Sequence, residues 1–558
     1  MQPALDRSTM IPRLMLAAAI AMTLAACSSD NDNNNDPAPI PPAPAPTPTA
    51  SDGPANQGPA FTHRVGNAAN GRTVFRFETF NNERFWTDAL RLPQGILATN
   101  FTPIKALQAG MHVDVEALPL ATQQAIAREV ATDLSPANAP LLNSVATTVA
   151  LINANAVIGI AAKDSNGNGV IDVGAGDKAG ATCALCHTIT DNSVFQLPNG
   201  GSIGRRLDGR ATHSLNFGAV LALGTNTRAY YPVLQLALAA NNGATLGRAP
   251  TGLTENSTEA EVDAYVSNPA FYPIGTFDDT IDGNGDPMHN SALFRTDLAA
   301  PWGTEGSIAT LDNFGNLVYT ALLDPTFATT PGGRAFLVKL GGAAAGNEIV
   351  NDYISVLAAT GVTGYPYVTI STTGMPGTET HPLGGRVDDQ KLIDMNAYLN
   401  SLPAPPGVTT PAAAPAVARG RELFRTVGCT GCHNVNQGVR VPSFTVAMRT
   451  IFPGDNPVTL LAMRDPPLNP ILNTVNSIFD DKMAVVNASI RGDIRGTVMP
   501  LLLDLPRKPN YLHDNSVPTL DALLGPARGT TAPHPFYLND TAQRADMVEF
   551  LRSLSTTP

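Results

Sequence analysis

Two short motifs, each built from two cysteines and a histidine, constrain this chain more than any other feature. "CALCH" runs from Cys183 to His187, and "CTGCH" runs from Cys429 to His433. Two thiols three residues apart, followed at once by an imidazole, form the attachment motif of a c-type haem. The thiols add to the porphyrin vinyl groups, and the histidine becomes the proximal iron ligand. The sequence therefore predicts two covalent haems, held by Cys183, Cys186 and His187 and by Cys429, Cys432 and His433.

The same four cysteines allow two other interpretations. They could assemble a four-cysteine zinc site, or they could close two small disulfides. Both alternatives leave the histidine of each motif without a role. We therefore favour haem at both motifs.

The fifth cysteine ends a segment that is typical of an exported lipoprotein. Arg7 and Arg13 precede the apolar run "LMLAAAIAMTL" and then "LAAC", which ends at Cys27. This pattern is a secretory signal with small residues before the cleavage site. Its end resembles a bacterial lipobox, which implies lipidation of Cys27, and Ser28 after it implies transfer to the outer membrane. An ordinary cleaved signal with an incidental cysteine is the alternative.

Composition sets further limits on the rest of the chain. Residues 28–60 are rich in Asn, Asp and Pro and cannot bury a core, so they predict a disordered tether. No later run is apolar and long enough to span a bilayer, so we expect membrane contact through the lipid anchor only. The net charge is −12 and no basic tract is present, so nucleic acid is not an expected partner.

Apolar residues at helical spacing frame both haem motifs. A helix from about Pro415 leads into the second motif, and "DTAQRADMVEFLRSL" predicts a helix that closes the same unit. "DDQKLIDMNAYLNSLPAP" predicts the closing helix of the first unit. One helix entering the haem loop and another packed across it is the plan of cytochrome c. The predicted fold is therefore mainly α, with two cytochrome c-like haem domains.

The predicted domain boundaries follow changes in composition and the proline-rich segment between Leu402 and Pro415. The chain is too long for one core, and the first haem unit has long loop-rich insertions. The boundaries give a lipoprotein signal peptide (1–26), a disordered tether (27–60), an N-terminal extension (61–150), a first cytochrome c-like domain with a large insertion (151–404) and a second cytochrome c-like domain (405–558).

The segments "GRELFRTVGCTGCH" and "MPLLLDLPRKPNYLHDNSVPTLDALL" resemble the C-terminal half of bacterial di-haem cytochrome c peroxidases. The resemblance covers residues 70–225 and 385–556. The positions that match the family's motifs are Pro500, Tyr511, His513, Asp514, Thr519 and Leu520. Asn515 stands where the family has glycine, and Ala527 lies near the position where the family places a methionine ligand. The resemblance implies two haems, a methionine as the sixth ligand of the second haem, and calcium near the haems.

The sixth ligand of each iron is open in the sequence. We favour Met499, in "GTVMP", for the second haem and Met375, in "TTGMPG", for the first. The rivals are His513 and His534 for the second haem and His213, Met288 and His289 for the first. Core packing is the alternative for each methionine. An empty sixth position on the first haem is equally open, and it would admit peroxide or oxygen, whereas two strong ligands favour electron transfer.

Two acidic loops are candidates for calcium. "DSNGNGVID" places Asp164, Asn166, Asn168 and Asp172 at positions 1, 3, 5 and 9 of an EF-hand-like loop. The glutamate of position 12 is missing, so Asp177 would have to serve. "DDTIDGNGD" gathers further carboxylates without a regular template. Polar turns are the alternative for both loops.

These features together predict an exported di-haem c-type cytochrome that transfers electrons in the Gram-negative envelope. It is expected to be an outer-membrane lipoprotein facing the periplasm or the cell surface. Its expected partner is a redox protein or a quinol-linked electron donor, and an acidic surface suits a basic partner. Two alternatives are a di-haem peroxidase or oxygenase with an open first haem, and a non-catalytic haem-binding or haem-sensing lipoprotein.

Overall fold

A computed structural model of the chain is the basis for the fold. It describes residues 52, 63–239, 252–269, 271–278, 281, 283, 287–299, 301–303, 308–435, 445–447, 496–512, 515, 517–528 and 537–556. The predicted signal peptide, Cys27 and nearly all of the predicted tether lie outside the described residues. So do His513, Asp514 and His534.

Helices dominate the described residues, and the strands are short. The α-helices are α1 (Ala68–Phe77), α2 (Leu92–Ala98), α3 (Pro103–Gln108), α4 (Leu120–Glu129), α5 (Val145–Asn153), α6 (Ala184–His187), α7 (Phe217–Leu221), α8 (Glu259–Val266), α9 (Leu311–Leu317), α10 (Pro331–Ala359), α11 (Asp389–Ser401), α12 (Ala414–Thr426), α13 (Leu520–Leu524) and α14 (Thr541–Ser553). A π-helical turn, Val318–Leu322, follows α9 directly. The mainly α class predicted from the sequence is confirmed.

The strands form small sheets of two or three strands each. They are β1 (Val113–Asp114), β2 (Ile160–Lys163), β3 (Lys178–Ala181), β4 (Thr188–Thr190), β5 (Phe195–Gln196), β6 (Ser202–Gly204), β7 (Arg206–Asp208), β8 (Thr276–Asp278), β9 (Pro287–His289), β10 (Thr372–Thr373), β11 (Gly385–Arg386), β12 (Thr445–Ala447) and β13 (Gly496–Val498). β1 pairs with β6 in parallel, and the other strand pairs are antiparallel. The β2–β3 pair leads into the first haem motif, and the β4–β7 pair follows it.

The first hydrophobic core runs from Val74 to Leu402 and is built around the crossing of α1 and α11. The two helices touch at Gly71, where a Cβ atom would lie only 1.8 Å from the carbonyl oxygen of Asp394. The rings of Phe75 and Tyr398 pack 5.9 Å apart beside this crossing. Core residues on both sides of residue 150, such as Leu142 and Leu151, belong to this one cluster.

The second hydrophobic core repeats this arrangement with α12 and α14. The helices touch at Gly420, where a Cβ atom would lie 2.1 Å from the carbonyl oxygen of Asp546. The rings of Phe424 and Phe550 pack 5.5 Å apart. Both helices were predicted from apolar spacing, and the burial of Phe424, Met547 and Phe550 confirms the predicted faces.

The two helix pairs also share a sequence pattern. "GRTVFR" in α1 matches "GRELFR" in α12 at the glycine, both arginines and the phenylalanine. "DMNAYLNSL" at the end of α11 matches "DMVEFLRSL" at the end of α14. In each pair the shared glycine lies against the helix that carries the shared Asp-Met. The matched glycines therefore make equivalent packing contacts in the two helix pairs.

The first unit inserts residues 78–182 between its entry helix and its haem motif, whereas Cys429 follows α12 almost directly. The chain leaves the end of α1 where this insertion begins and comes back to it where the insertion ends. Thr182 Oγ1 donates a hydrogen bond to the carbonyl oxygen of Arg76, 3.2 Å away, and Asn82 Nδ2 donates to Ala181 O at 2.9 Å. Cys183 therefore starts beside the end of α1, in the place that Cys429 takes beside α12.

None of the helices in the described ranges is long and apolar enough to cross a bilayer. The longest, α10, changes direction at Gly342, whose φ of 82° lies in the left-handed region that glycine tolerates. The finding on membrane-spanning helices applies to the described part of the chain.

The close crossings predict that the two glycines cannot accept even a methyl group without loss of stability. We expect Gly71→Ala and Gly420→Ala each to lower the free energy of unfolding by about 1–3 kcal/mol, because the facing atoms are backbone and must move as a unit. Urea unfolding followed by circular dichroism measures this. Gly341→Ala in α10 is the control, since its Cβ would meet nothing closer than 3.6 Å. Equal stability of all three variants would contradict the packing argument.

Candidate haem sites

The first haem motif forms the one-turn helix α6, held between the β2–β3 hairpin and the β4–β7 pair. Thr182 N donates to Gly159 O at 2.9 Å just before the motif. Thr212 N donates to Cys186 O at 3.0 Å from the other side. The backbone of the motif is therefore fixed at both ends, while Cys183, Cys186 and His187 remain half-buried in the structure.

The imidazole of His187 is oriented by one hydrogen bond from its inner nitrogen. Its Nδ1 lies 2.6 Å from the carbonyl oxygen of Ser291 and donates to it. Burial lowers the pKa of His187 to about 4, so the ring is neutral near pH 7. A neutral ring with a proton on Nδ1 keeps the lone pair of Nε2 for a metal, and metal-binding histidines are usually oriented in this way.

The two thiols of the first motif are free and protonated. Cys183 Sγ lies 3.4 Å from the hydroxyl of Tyr319 and 3.8 Å from the sulfur of Met395. Burial raises the pKa of Cys183 to about 11 and that of Cys186 to about 12. Both thiols are therefore protonated near pH 7 in the structure, three residues apart in the motif.

Aromatic side chains enclose the space beside Cys186. Tyr230 and Phe217 lie 6.1 Å apart, and Phe217 also packs against Tyr272 and Phe277. The hydroxyl of Tyr230 is fully buried and has no hydrogen-bond partner among the described residues. The pKa of Tyr230 is raised first by burial and further by Asp278 and Cys186. A buried hydroxyl without a partner costs about 1–3 kcal/mol, so this wall fits a bound group.

The second haem motif follows α12 in the same order as the first follows α1. Cys429–Gly431 is a short 3₁₀ turn, and His433 N donates to Cys429 O at 2.9 Å. The ring of His433 lies 6.3 Å from that of Phe424 in the core. Burial lowers the pKa of His433 to about 4 and raises that of Cys429 to about 12. The second motif therefore has a neutral imidazole and a protonated Cys429 thiol near pH 7, like the imidazole and thiols of the first motif.

Among the described residues, the four cysteines do not come together in one site. The four cysteines are free thiols, and Cys183 packs against the first core while Cys429 belongs to the second. Within the described ranges, no three His, Cys, Asp or Glu side chains group as a metal-ion site. The hydrogen bond from His187 Nδ1 to Ser291 O leaves Nε2 of this imidazole available for a ligand bond.

The predicted sixth ligands lie in different surroundings. The side chain of Met375 is 73% exposed, in the loop between β10 and β11. Met499 is half-buried and follows β13 directly. His213 is half-buried, and burial together with the charge of Lys508 lowers its pKa to about 3. The exposure of Met375 speaks against this methionine as an iron ligand, and His213, Met288 and His289 stay as rival predictions.

The calcium-like loop satisfies its carboxylates internally. Asp164 Oδ1 accepts from Gly167 N at 2.7 Å, and its Oδ2 accepts from Gly169 N at 2.7 Å. Asp177 accepts from Ser165 N and from Asp172 N, each at 2.9 Å. Calcium would need these oxygens, so calcium binding stays a prediction. Most carboxylates of the second loop, among them Asp279 and Asp282, lie outside the described residues.

Sequence reasoning missed the residues that position the first motif. Ser291, Tyr319, Tyr230 and Met395 all lie far from Cys183 in the chain. Met395 lies in the predicted closing helix of the first unit, and its match with Met547 in the "DM" pairs of both closing helices is the signal that marks it. The others carry no motif, since their role depends on contacts between distant segments.

Comparison with known proteins adds little to this description. No family model matches the chain, and no curated protein matches it. A solved structure of hydrazine synthase from Kuenenia stuttgartiensis, pressurised with 20 bar of xenon, aligns with 49% of this chain and 74% of its own. The aligned residues are 14% identical, and the TM-score is 0.22. A likeness this low supports no conclusion, and the resemblance to di-haem peroxidases stays a prediction.

Proposed function

We propose that this protein is a di-haem c-type cytochrome that transfers electrons, with one haem in each of two cytochrome c-like units. The observation that carries the proposal is the hydrogen bond from His187 Nδ1 to Ser291 O. It leaves Nε2 free beside two protonated thiols, as a proximal ligand requires. Haem iron supplies one-electron chemistry when bound, and the protein sets its potential through ligands, burial and nearby charge.

The repeated architecture supports the same proposal for the second unit. Each Cys-x-x-Cys-His motif starts beside a helix that crosses a partner helix at a glycine, Gly71 or Gly420. Each motif histidine is half-buried, and burial lowers the pKa of each imidazole to about 4. The side chains in each unit therefore supply two sulfur atoms for the porphyrin edge and one nitrogen for the iron.

The experiment that tests the proposal is direct. The full chain is produced with a c-type haem attachment system, and its denatured form is stained for covalent haem. We expect two haems per chain and a reversible change in the visible spectrum on reduction. A chain that carries no covalent haem under these conditions would refute the proposal.

A second function is favoured by one observation. The unpartnered hydroxyl of Tyr230 beside Cys186, together with the exposure of Met375, suits an enzyme in which the first iron takes an external ligand. A peroxidase or an oxygenase would use such a site. In that case the second haem relays electrons.

We also propose that Cys27 anchors the chain to the outer membrane of a Gram-negative cell. We expect Cys27→Ser to move the protein from the membrane fraction to the soluble fraction without loss of haem. Each CH₂ group of an acyl chain buried in the bilayer contributes about 0.8 kcal/mol, so removing the acyl chains abolishes stable attachment. Cell fractionation and blotting measure the shift, with wild type as the control. Unchanged membrane association of Cys27→Ser would contradict the anchor.

A further inference from the structure

Lys508 is a half-buried cation between the two haem motifs. Its Nζ donates to Nε2 of His289 across 3.2 Å. The charge of Lys508 also acts on His213. No carboxylate among the described residues pairs with Lys508, and Asp504, in the same segment, forms its ion pairs with Arg210 at 3.1 Å and Arg507 at 2.6 Å.

The two imidazoles beside Lys508 belong to the surroundings of the first motif. His289 precedes Ser291, the residue that accepts from His187, by two positions. His213 follows Thr212, whose backbone N–H donates to Cys186 O. Asn290 Nδ2 donates to Thr212 O at 3.0 Å and ties these two segments together. The ammonium group of Lys508 is therefore held beside the first haem motif.

The backbone that carries Lys508 belongs to the second core. Leu505 and Tyr511 are buried in that core with Cys429 and Phe424. The hydroxyl of Tyr511 donates to Leu505 O at 2.8 Å and closes the segment on itself. Lys508 thus reaches from a loop anchored in the second unit to the motif of the first.

An ammonium group in this position needs a negative charge. Burial alone lowers the pKa of Lys508 to about 8, so the side chain is still mainly charged at pH 7. His213 is neutral near pH 7 and does not compensate that charge. A half-buried ammonium group without a carboxylate partner among the described residues is costly. A haem carries two propionate carboxylates on the edge opposite its vinyl groups, so the cofactor that the motif predicts brings a suitable anion.

We propose that Lys508, with His289 and His213 beside it, binds a propionate of the haem held by His187. This inference rests on the proposed function and adds that the second unit supplies a charge to the first cofactor. A positive charge near a haem favours the ferrous state, which has one positive charge fewer than the ferric state. Lys508 therefore raises the reduction potential of the first haem and fastens the two units together.

The test is a redox titration of the full chain with both haems attached. We expect Lys508→Met to shift the ferric-to-ferrous equilibrium of one haem at least tenfold towards the ferric form, about 59 mV for a one-electron couple. The shift should persist in a Cys429→Ala, Cys432→Ala background, which keeps only the first haem. Lys508→Arg, which retains the charge, should stay close to wild type. If Lys508→Met does not fold, as judged by circular dichroism, Lys508→Gln takes its place.

Lys105→Met is the charge-matched control. The ammonium group of Lys105 is bonded only to the carbonyl oxygens of Thr99 and Asn100, each at 3.0 Å. We expect this variant to leave both potentials unchanged.

Three outcomes would overturn the propionate assignment. They are unchanged potentials in Lys508→Met, a shift confined to the His433 haem, and a wild-type potential that responds to added inorganic phosphate while that of Lys508→Met does not. The last outcome would mean that Lys508, with His289 and His213 beside it, binds a free anion instead of a propionate. A chain without covalent haem would instead refute the proposed function, so the two failures are distinguishable.

Discussion

Removing the thiols of one motif should leave a protein with one haem instead of two. We expect Cys183→Ala with Cys186→Ala, and separately Cys429→Ala with Cys432→Ala, each to retain one covalent haem per chain. The reason is structural, because each motif belongs to its own helix pair and its own hydrophobic core. Attachment at one motif therefore does not require the other to be loaded.

Haem-stained denaturing gels, calibrated against protein mass, give the number of haems per chain. The matched control is Cys27→Ser, which removes a cysteine outside both motifs and should keep two haems. Loss of both haems from one double variant would mean that the two units load or fold together. Retention of two haems would show that the altered motif does not attach haem at all.

The second unit was the easier of the two to predict from the sequence. Gly420, Phe424 and Cys429 are close together in the chain. The apolar spacing of α12 and the motif that follows it therefore predict how this helix leads into the motif. The closing helix α14 carries its own apolar stripe, and the structure buries the predicted face. Local patterns suffice where the interacting segments are short and regular.

The first unit could not be predicted to the same depth. Residues 78–182 separate α1 from Cys183, and the return of the chain to α1 is visible only in tertiary contacts such as the hydrogen bond from Thr182 to Arg76. The partner of His187, Ser291, acts through its backbone carbonyl. A carbonyl is present at every residue, so no side-chain pattern distinguishes it. Contacts of this kind depend on tertiary structure.

The same limit applies to the polar groups between the units. Lys508 lies inside a segment that resembles the di-haem peroxidases, yet the resemblance does not mark it. Its significance comes from His289, which lies 3.2 Å away in space and far away in the chain. Charge balance, which decides whether a buried lysine needs a ligand, is a property of the folded neighbourhood and not of the sequence.

External ligands should bind at the His187 haem and not at the His433 haem. The favoured sixth ligand of the first haem, Met375, is 73% exposed. The buried hydroxyl of Tyr230 beside Cys186 is a free donor for a bound ligand. In the second unit the candidate Met499 is half-buried and follows the paired strand β13. An iron with one strong ligand accepts cyanide, whereas one with two strong ligands resists it.

The two single-haem variants decide this point. Cys429→Ala with Cys432→Ala keeps the first haem and should show a high-spin ferric spectrum that changes on cyanide addition. Cys183→Ala with Cys186→Ala keeps the second haem and should stay low-spin and unchanged at the same cyanide concentration. Met375→Ala is the control in the first variant and should leave the spectrum as it is, because an exposed methionine does not hold the iron. Cyanide binding confined to the second haem would reverse the assignment, and its absence from both would leave electron transfer without an enzymatic site.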